Sequence, residues 1–368
     1  MKLGHSVLGA FLLAAMAVTA HAQILIGQTA GFSGAVAAGV KETTEGAKLY
    51  LDAVNAKGGV NGQKIDLISL DDKFDPKLAG ENARKLIEEQ NVAAMFLTRG
   101  TPQTEAILPL LDKYGVPLIA PSTGAMVLHT PVKKHVFNVR ATYQREAERA
   151  IAHLATIGIT RIALVYVDDS FGADGVAGAQ KGLAAAKLTA AAVEKFDRSK
   201  PDFSQLAPRI AKTDAQAVMM IASATAVVDC IKALKAAGSN AQFVTLSNNA
   251  SGGFIKGLGD NARGVIVSQV FPQSIGFALV KEANDLARAK NLPNVSPAML
   301  EGFASAKVLV EALRRAGPKP SREHIQSALE GLRKFDIGGL EVSFSQEDHT
   351  GLDFSDLSIV SADGKFRR

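Results

Sequence analysis

The sequence predicts an α/β protein of two similar units, each a parallel sheet flanked by helices. Three observations carry this: short β-rich runs alternate with amphipathic helical segments, the cycle restarts near Thr142, and 368 residues suit two cores better than one. Hydrophobic residues make up 47% and charged residues 21%, which excludes a disordered chain and a polytopic membrane protein.

In the first unit, Ile24 to Thr29 reads as a strand. A Gly-rich loop follows (Gly31, Phe32, Ser33, Gly34), then a helix whose Ala47, Tyr50, Leu51 and Val54 recur at i, i+3, i+4 and i+7, stopped by Gly58-Gly59. Lys64 to Leu70 is the second strand. Asp75-Pro76 supplies an N-cap and an N1 proline for a helix whose Ala79, Ala83, Leu86 and Ile87 face the sheet. Val92 to Leu97 is the third strand, Pro102 opens a helix ending near Tyr114-Gly115, and Pro117 to Ile119 is the fourth strand. The order is βαβαβαβ, which requires a parallel sheet with right-handed crossovers.

In the second unit a helix from about Thr142 to Ile157 leads to a strand at Arg161 to Val167, a loop at Asp168 to Gly172 and a helix to Ala186. Further strands are expected at Ala191 to Phe196, Ala217 to Ile221, Phe243 to Leu246 and Val265 to Gln269. Helices follow at Phe277 to Lys290, Met299 to Ala316 and Arg322 to Glu330. A hairpin is expected to join Leu340 to Phe344 with Leu357 to Val360. No proline-rich or low-complexity linker divides the halves, so several chain crossings and a hinge are expected.

The amino terminus carries Met1-Lys2, an apolar run from Val7 to Val18 and the small-x-small exit Ala20-His21-Ala22. This is the pattern of a cleavable export signal, and its apolar run is too short to span roughly 30 Å of hydrocarbon. Cleavage after Ala22 leaves Gln23 first. The single cysteine, Cys230, allows neither an intrachain disulfide nor a CxxC metal or redox site, and its apolar surroundings suit a buried structural thiol.

Composition and motifs also exclude function classes. The formal charge of +5 arises from 41 basic and 36 acidic residues that are interspersed, and aromatics are only 6%, so nucleic acid is not an expected partner. Beyond the signal, His129, His135, His153, His324 and His349 show no HxxxH or HExxH spacing, so no metal site is expected. Gly31 to Ala35 misses the GxSxG elbow at its last position, and neither a P-loop nor a clean GxGxxG follows a strand, so neither an enzyme nor a cofactor is indicated. Asp71-Asp72 reads as a pair supporting the turn and helix that follow, rather than as a catalytic dyad.

What remains is the set of loops after the strands. Ligands of open parallel sheets sit beyond the carboxyl ends of the strands, where helix starts direct free N–H groups and partial positive charge at anions such as carboxylates. In Thr98-Arg99-Gly100-Thr101-Pro102, Gly100 lets backbone approach a ligand, Thr101 offers an N-cap hydroxyl and Pro102 starts the helix. Pro121-Ser122-Thr123-Gly124 repeats this chemistry one strand later. Composition alone equally allows both loops to be plain helix caps.

Several runs together resemble one family: Asn55 to Gly62 (NAKGGVNG), Asp71-Asp72 with Asp75-Pro76, Gly100-Thr101-Pro102, Pro121 to Gly124, Phe137 to Arg140 and Asp169-Ser170-Phe171-Gly172. In this order they resemble the periplasmic leucine-binding-protein family, the substrate-binding components of branched-chain amino acid type ABC transporters. The resemblance covers essentially the whole chain after the signal. It implies a type I periplasmic binding fold, with two Rossmann-like lobes and three hinge crossings near Arg140 to Tyr143, Val270 to Gln273 and Ser345 to Leu352. The implied division is a signal peptide over 1–22, one lobe over 23–141 and 271–345, and the other over 142–270 and 346–368. A soluble, monomeric periplasmic protein serving an inner-membrane ABC permease is implied.

By the same analogy Gly100, Thr101, Ser122, Thr123 and Gly124 hold a small carboxylate or amino acid-like ligand, and Arg99 stands in the same loop as Gly100. Phe171 covers the ligand, and Ser223, Ser247 and Asn248 complete the far wall. Arg99 either clamps the carboxylate or is solvated. The chain departs from the leucine binders where they carry an acid for the α-ammonium: Ser247, Asn248 and Asn249 stand there, while Ala38 and Ser223 replace tyrosines. Either Asp72, Asp168, Asp169 or Glu301 substitutes, or the ligand is a small carboxylate or amide without that charge. An exported sensor presenting its ligand to a receptor is the alternative role.

Overall fold

The computed structural model describes residues 23–292 and 294–367; the expected export signal lies outside them. The first sheet contains β1 (Ile24–Ala30), β2 (Ile65–Asp71), β3 (Ala94–Phe96), β4 (Leu118–Ile119) and β5 (Val136–Phe137), in the order β2-β1-β3-β4-β5 with every pairing parallel. Four strands were expected here. The fifth is two residues long, too short to show an alternating pattern. Between these strands run α1 (Ala37–Ala56), α2 (Pro76–Arg84) and α3 (Thr101–Tyr114). Asp75 caps α2, accepting from Leu78 N at 2.9 Å, with Pro76 at the first helical position.

The second sheet contains β6 (Ile162–Val167), β7 (Ala192–Phe196), β8 (Ala217–Ile221), β9 (Gln242–Thr245) and β10 (Ile266–Gln269), alternating with α4 (Tyr143–Thr156), α5 (Ser170–Ala185), α6 (Leu206–Ala211), α7 (Ala224–Ala236) and α8 (Gly252–Leu258). The chain continues through α9 (Ala278–Ala289), α10 (Pro297–Arg315) and α11 (Arg322–Glu330), then β11 (Phe335–Asp336), β12 (Glu341–Val342), β13 (Asp356–Val360) and β14 (Phe366–Arg367). The expected hairpin is corrected. β12 pairs with β11 in its own two-stranded sheet, while β13 joins β10 antiparallel, giving the sheet order β14-β13-β10-β9-β8-β6-β7. Both segments have strand composition, but their partners depend on which sheet edge the chain reaches, and local pattern does not encode that.

The apolar residues form two large cores. One gathers Ile26, Phe96, Ile119 and Phe137 of the first sheet with Leu279, Phe303, Leu309 and Leu329 of α9 to α11. The other gathers Leu164, Val218 and Val244 of the second sheet with Ala147, Ile151, Ala179 and Ile231 of its helices. Cys230 is buried there, and burial pushes its thiol up to about 12. Helices α1 and α10 cross where both carry glycine: a Cβ on Gly46 would stand 1.8 Å from Met299 O, and one on Gly302 1.8 Å from Thr43 O. This close crossing fixes the adjacent Glu301 behind the loops that follow β3 and β4.

Candidate functional site

The loops after β3 and β4 are paired to one another. Ser122 N donates to Thr98 O at 2.7 Å, and Arg99 and Ser122 form an isolated parallel bridge. Gly100 has φ of 93° and is itself the N-cap of α3, a backbone that requires glycine; a Cβ there would also lie 2.2 Å from Gln103 Oε1. This corrects the placement of Thr101, which is the first helical residue, its hydroxyl 2.8 Å from that of Thr123. From the second sheet, Asp169 caps α5 by accepting from Phe171 N at 2.9 Å and Gly172 N at 3.1 Å, and Ser223 stands at the N-cap of α7.

These strand ends face each other across a narrow space of about 20 Å³, little more than one water needs. Val36, Phe74, Arg99, Gly100 and Thr101 line it on the side of the first sheet; Tyr143, Phe171, Arg198, Ser223 and Asn248 line it on the other. Six of the expected residues thus come together: Arg99, Gly100, Thr101, Phe171, Ser223 and Asn248. The other four stand behind this lining. Ser122 bonds to Arg99 and Glu301, Thr123 backs Thr101, Gly124 packs against the Ala141–Tyr143 backbone, and Ser247 bonds to Arg140. The lining residues not anticipated are Val36, Phe74, Tyr143 and Arg198. Arg198 follows the end of β7, so the strand-end rule that found Arg99 would have found it too.

Arg99 is 5% exposed, so the solvated reading does not hold. Its Nη1 donates to Ser122 Oγ at 2.9 Å and its Nη2 to the backbone oxygen of Asn248 at 2.6 Å, a bond between the two walls. Both acceptors are neutral. Ser122 Oγ in turn donates to Glu301 Oε1 at 2.8 Å, which also lies 3.5 Å from Arg140 Nη1. Arg140 pairs with Glu146 and donates to Ser247 Oγ at 2.6 Å, while Glu146 accepts from Ser247 N at 2.9 Å and from the Ser268 hydroxyl. Burial alone would favour neutral Arg140, but Glu146 and Glu301 outweigh it and hold its pKa above the ordinary value. Two cations and two acids therefore form a buried chain beneath the cleft, and Arg99 is the cation without a carboxylate in contact.

Arg198 lies over the Phe74 ring, 4.6 Å from its centroid, and pairs with Asp169. Phe171 packs on Tyr143 with ring centroids 4.8 Å apart, and burial raises the Tyr143 pKa. Three further bonds join the walls: the Ser170 hydroxyl donates to Glu105 Oε2 at 2.5 Å, and Glu42 of α1 accepts from Gly252 N at 3.0 Å and Gly253 N at 2.9 Å at the start of α8.

None of the four candidate acids lines the space. Asp72 is buried in the turn after β2, accepting from Thr29 Oγ1 at 3.0 Å and Phe74 N at 2.8 Å; desolvation raises its pKa to about 6. Asp71 accepts from the Ser33 hydroxyl at 2.6 Å and from Lys73 N at 2.9 Å, so this pair supports the turn. Asp168 pairs with Lys195 at 2.8 Å, Asp169 with Arg198, and Glu301 with Ser122 and Arg140. The described residues contain no group of three or more His, Cys, Asp or Glu able to hold a metal ion.

The model of the family described as periplasmic binding protein matches residues 23–365. A Leu/Ile/Val-binding protein, BraC3, of Rhizobium johnstonii is 27% identical over 362 residues, 93% of each chain. A substrate-binding periplasmic protein from Ralstonia solanacearum superposes with a TM-score of 0.86 at 31% identity, covering 94% of this chain and 99% of that one. A possible leucine/isoleucine/valine-binding protein from Rhodopirellula baltica superposes at 0.89 with 26% identity, covering 96% and 98%.

Proposed function

From the chain's membership of the periplasmic binding protein family, in its leucine-binding-protein branch, we infer that it is the substrate-binding component of an ABC importer. It takes up a small carboxylate without an ammonium group in the cleft between two lobes and delivers it to an inner-membrane permease. The family is one of ligand-binding and transport proteins and implies a periplasmic location. Support for the lobes and their crossings comes from the two cores. Ala141 belongs to the first and Tyr143 to the second, Val267 to the second and Val270 to the first, and Leu352 to the first and Val360 to the second. The first of these changes of core falls inside a segment expected for a hinge, and the other two fall beside theirs, just before Val270 and just after Leu352.

The observation that carries the ligand reading is Arg99, a guanidinium 5% exposed whose acceptors are both neutral. A buried cation without a counter-ion is costly, and an incoming carboxylate supplies one with charge-assisted bonds. An α-ammonium carried by the same ligand would meet no carboxylate among the residues that line the space. At about 4 Å from a guanidinium it would be repelled by roughly 4 kcal/mol at an effective dielectric of 20, so it opposes binding. Closure follows from contacts to both walls, since a ligand shifts the lobes only as far as it binds the closed form better.

A thermal-shift comparison of leucine with isocaproate, its unaminated counterpart, tests the reading. At a hundredfold excess over Kd a bound ligand adds about 2.7 kcal/mol. Isocaproate is expected to stabilise and leucine not; stabilisation by leucine alone would reject it.

A further inference from the structure

Asn248 carries a second recognition element. Its side chain is buried, and both Nδ2 hydrogens are used: one goes to Ala222 O at 2.9 Å and the other to Asn249 Oδ1 at 3.2 Å. Because both of those partners are acceptors, the amide cannot be turned the other way without facing oxygen with oxygen, which fixes its orientation. Oδ1 is left buried without a partner in a residue that lines the cleft. The neighbouring Asn249 amide is satisfied by Ala222 O and Thr245 Oγ1, at 3.1 and 2.8 Å, so the pair is braced from behind and open only at this one acceptor.

The backbone oxygen of the same residue accepts from Arg99 Nη2. The guanidinium and the unpaired amide oxygen therefore meet at one residue of the lining. Building on the carboxylate reading above, we propose that the ligand is an α-hydroxy carboxylate. Its carboxylate sits on Arg99 and its hydroxyl, on the adjacent carbon, donates to Asn248 Oδ1. A hydroxyl meets this acceptor's need without adding charge beside Arg99. A deoxy acid leaves Oδ1 buried with no donor, and an α-ammonium returns a donor together with a positive charge that no lining carboxylate balances.

The test varies only the α-substituent on three skeletons, by calorimetry on the full chain lacking its export signal: glycolate, acetate and glycine; α-hydroxyisocaproate, isocaproate and leucine; mandelate, phenylacetate and phenylglycine. On the skeleton that fits, the hydroxy acid is expected to bind roughly tenfold or more tightly than the deoxy acid, and the amino acid weakest. In Asn248→Ala the ratio of hydroxy to deoxy affinity should collapse toward one. The ratio is taken within one variant, so a general loss of stability cancels, and if that variant fails to fold the series on the unsubstituted protein decides alone. Equal binding of hydroxy and deoxy acids would overturn the hydroxyl assignment and leave the carboxylate reading standing, as would a preference retained in Asn248→Ala. Tightest binding of the amino acid, or no binding on any skeleton, would overturn both.

Discussion

Replacing Arg99 by methionine keeps a long, flexible side chain in the cleft and removes the charge. Two effects of different sign follow. In the liganded protein a carboxylate loses its buried cation, which at comparable desolvated pairs costs about 2–5 kcal/mol, a fall in affinity of roughly 30- to several thousand-fold. In the unliganded protein the substitution removes a cation that is 5% exposed and whose guanidinium donates to Ser122 Oγ and Asn248 O. The relief of that desolvation offsets the backbone oxygen left without a donor, so stability should change by no more than about 2 kcal/mol either way. Calorimetric titration with the best carboxylate and melting of the unliganded chain read the two effects separately. An affinity within threefold of the unsubstituted protein, with a large drop in unliganded stability, would show Arg99 to be a structural brace and refute the reasoning.

Four further outcomes follow from particular contacts. The raised pKa of Asp72, with Asp71 and Asp75 beside it, means the folded state binds this proton more tightly than the unfolded one. Its stabilising contribution is complete below about pH 4 and is lost as pH rises through about 6. Asp72→Asn should therefore stabilise the fold at pH 7 by about 2–3 kcal/mol, read as a raised melting temperature, and bring no gain at pH 4; an equal effect at both would contradict this. Gly302→Ala places a methyl against Thr43 O and should destabilise by about 2–3 kcal/mol or prevent folding, read by denaturant melting. Glu42→Ala removes the acceptor at the start of α8, so small-angle scattering should show a more open liganded chain and affinity should fall roughly fivefold or more. Ser122→Ala leaves Arg99 and Glu301 each without the hydroxyl that joins them, and should weaken carboxylate binding by about tenfold; unchanged affinity would remove the loop after β4 from the site.

Much of this arrangement was legible because it is local. The alternation of strand and helix, the Asp75-Pro76 start of α2 and the glycine that α3 needs at Gly100 each follow from a few adjacent residues. The same logic brought Arg99, Phe171, Ser223 and Asn248 to one place, since each follows a strand of a parallel sheet. What escaped was set by tertiary contact. Arg140 meets Glu301 across 161 positions and Ser247 across 107, and no periodicity marks such partners. Phe74 reaches the cleft because its turn adopts a positive φ of 63°, uncommon for a bulky residue. The destination of β13 likewise depended on which sheet edge was free for it.

The most direct test of the central claim is a crystal structure of the protein with the tightest-binding carboxylate in the cleft. Both carboxylate oxygens should lie within hydrogen-bond distance of Arg99 or the α3 start, with Asn248 Oδ1 facing the ligand's hydroxyl. A ligand enclosed with its carboxylate turned away from Arg99, or with an ammonium seated on Glu301, would contradict it.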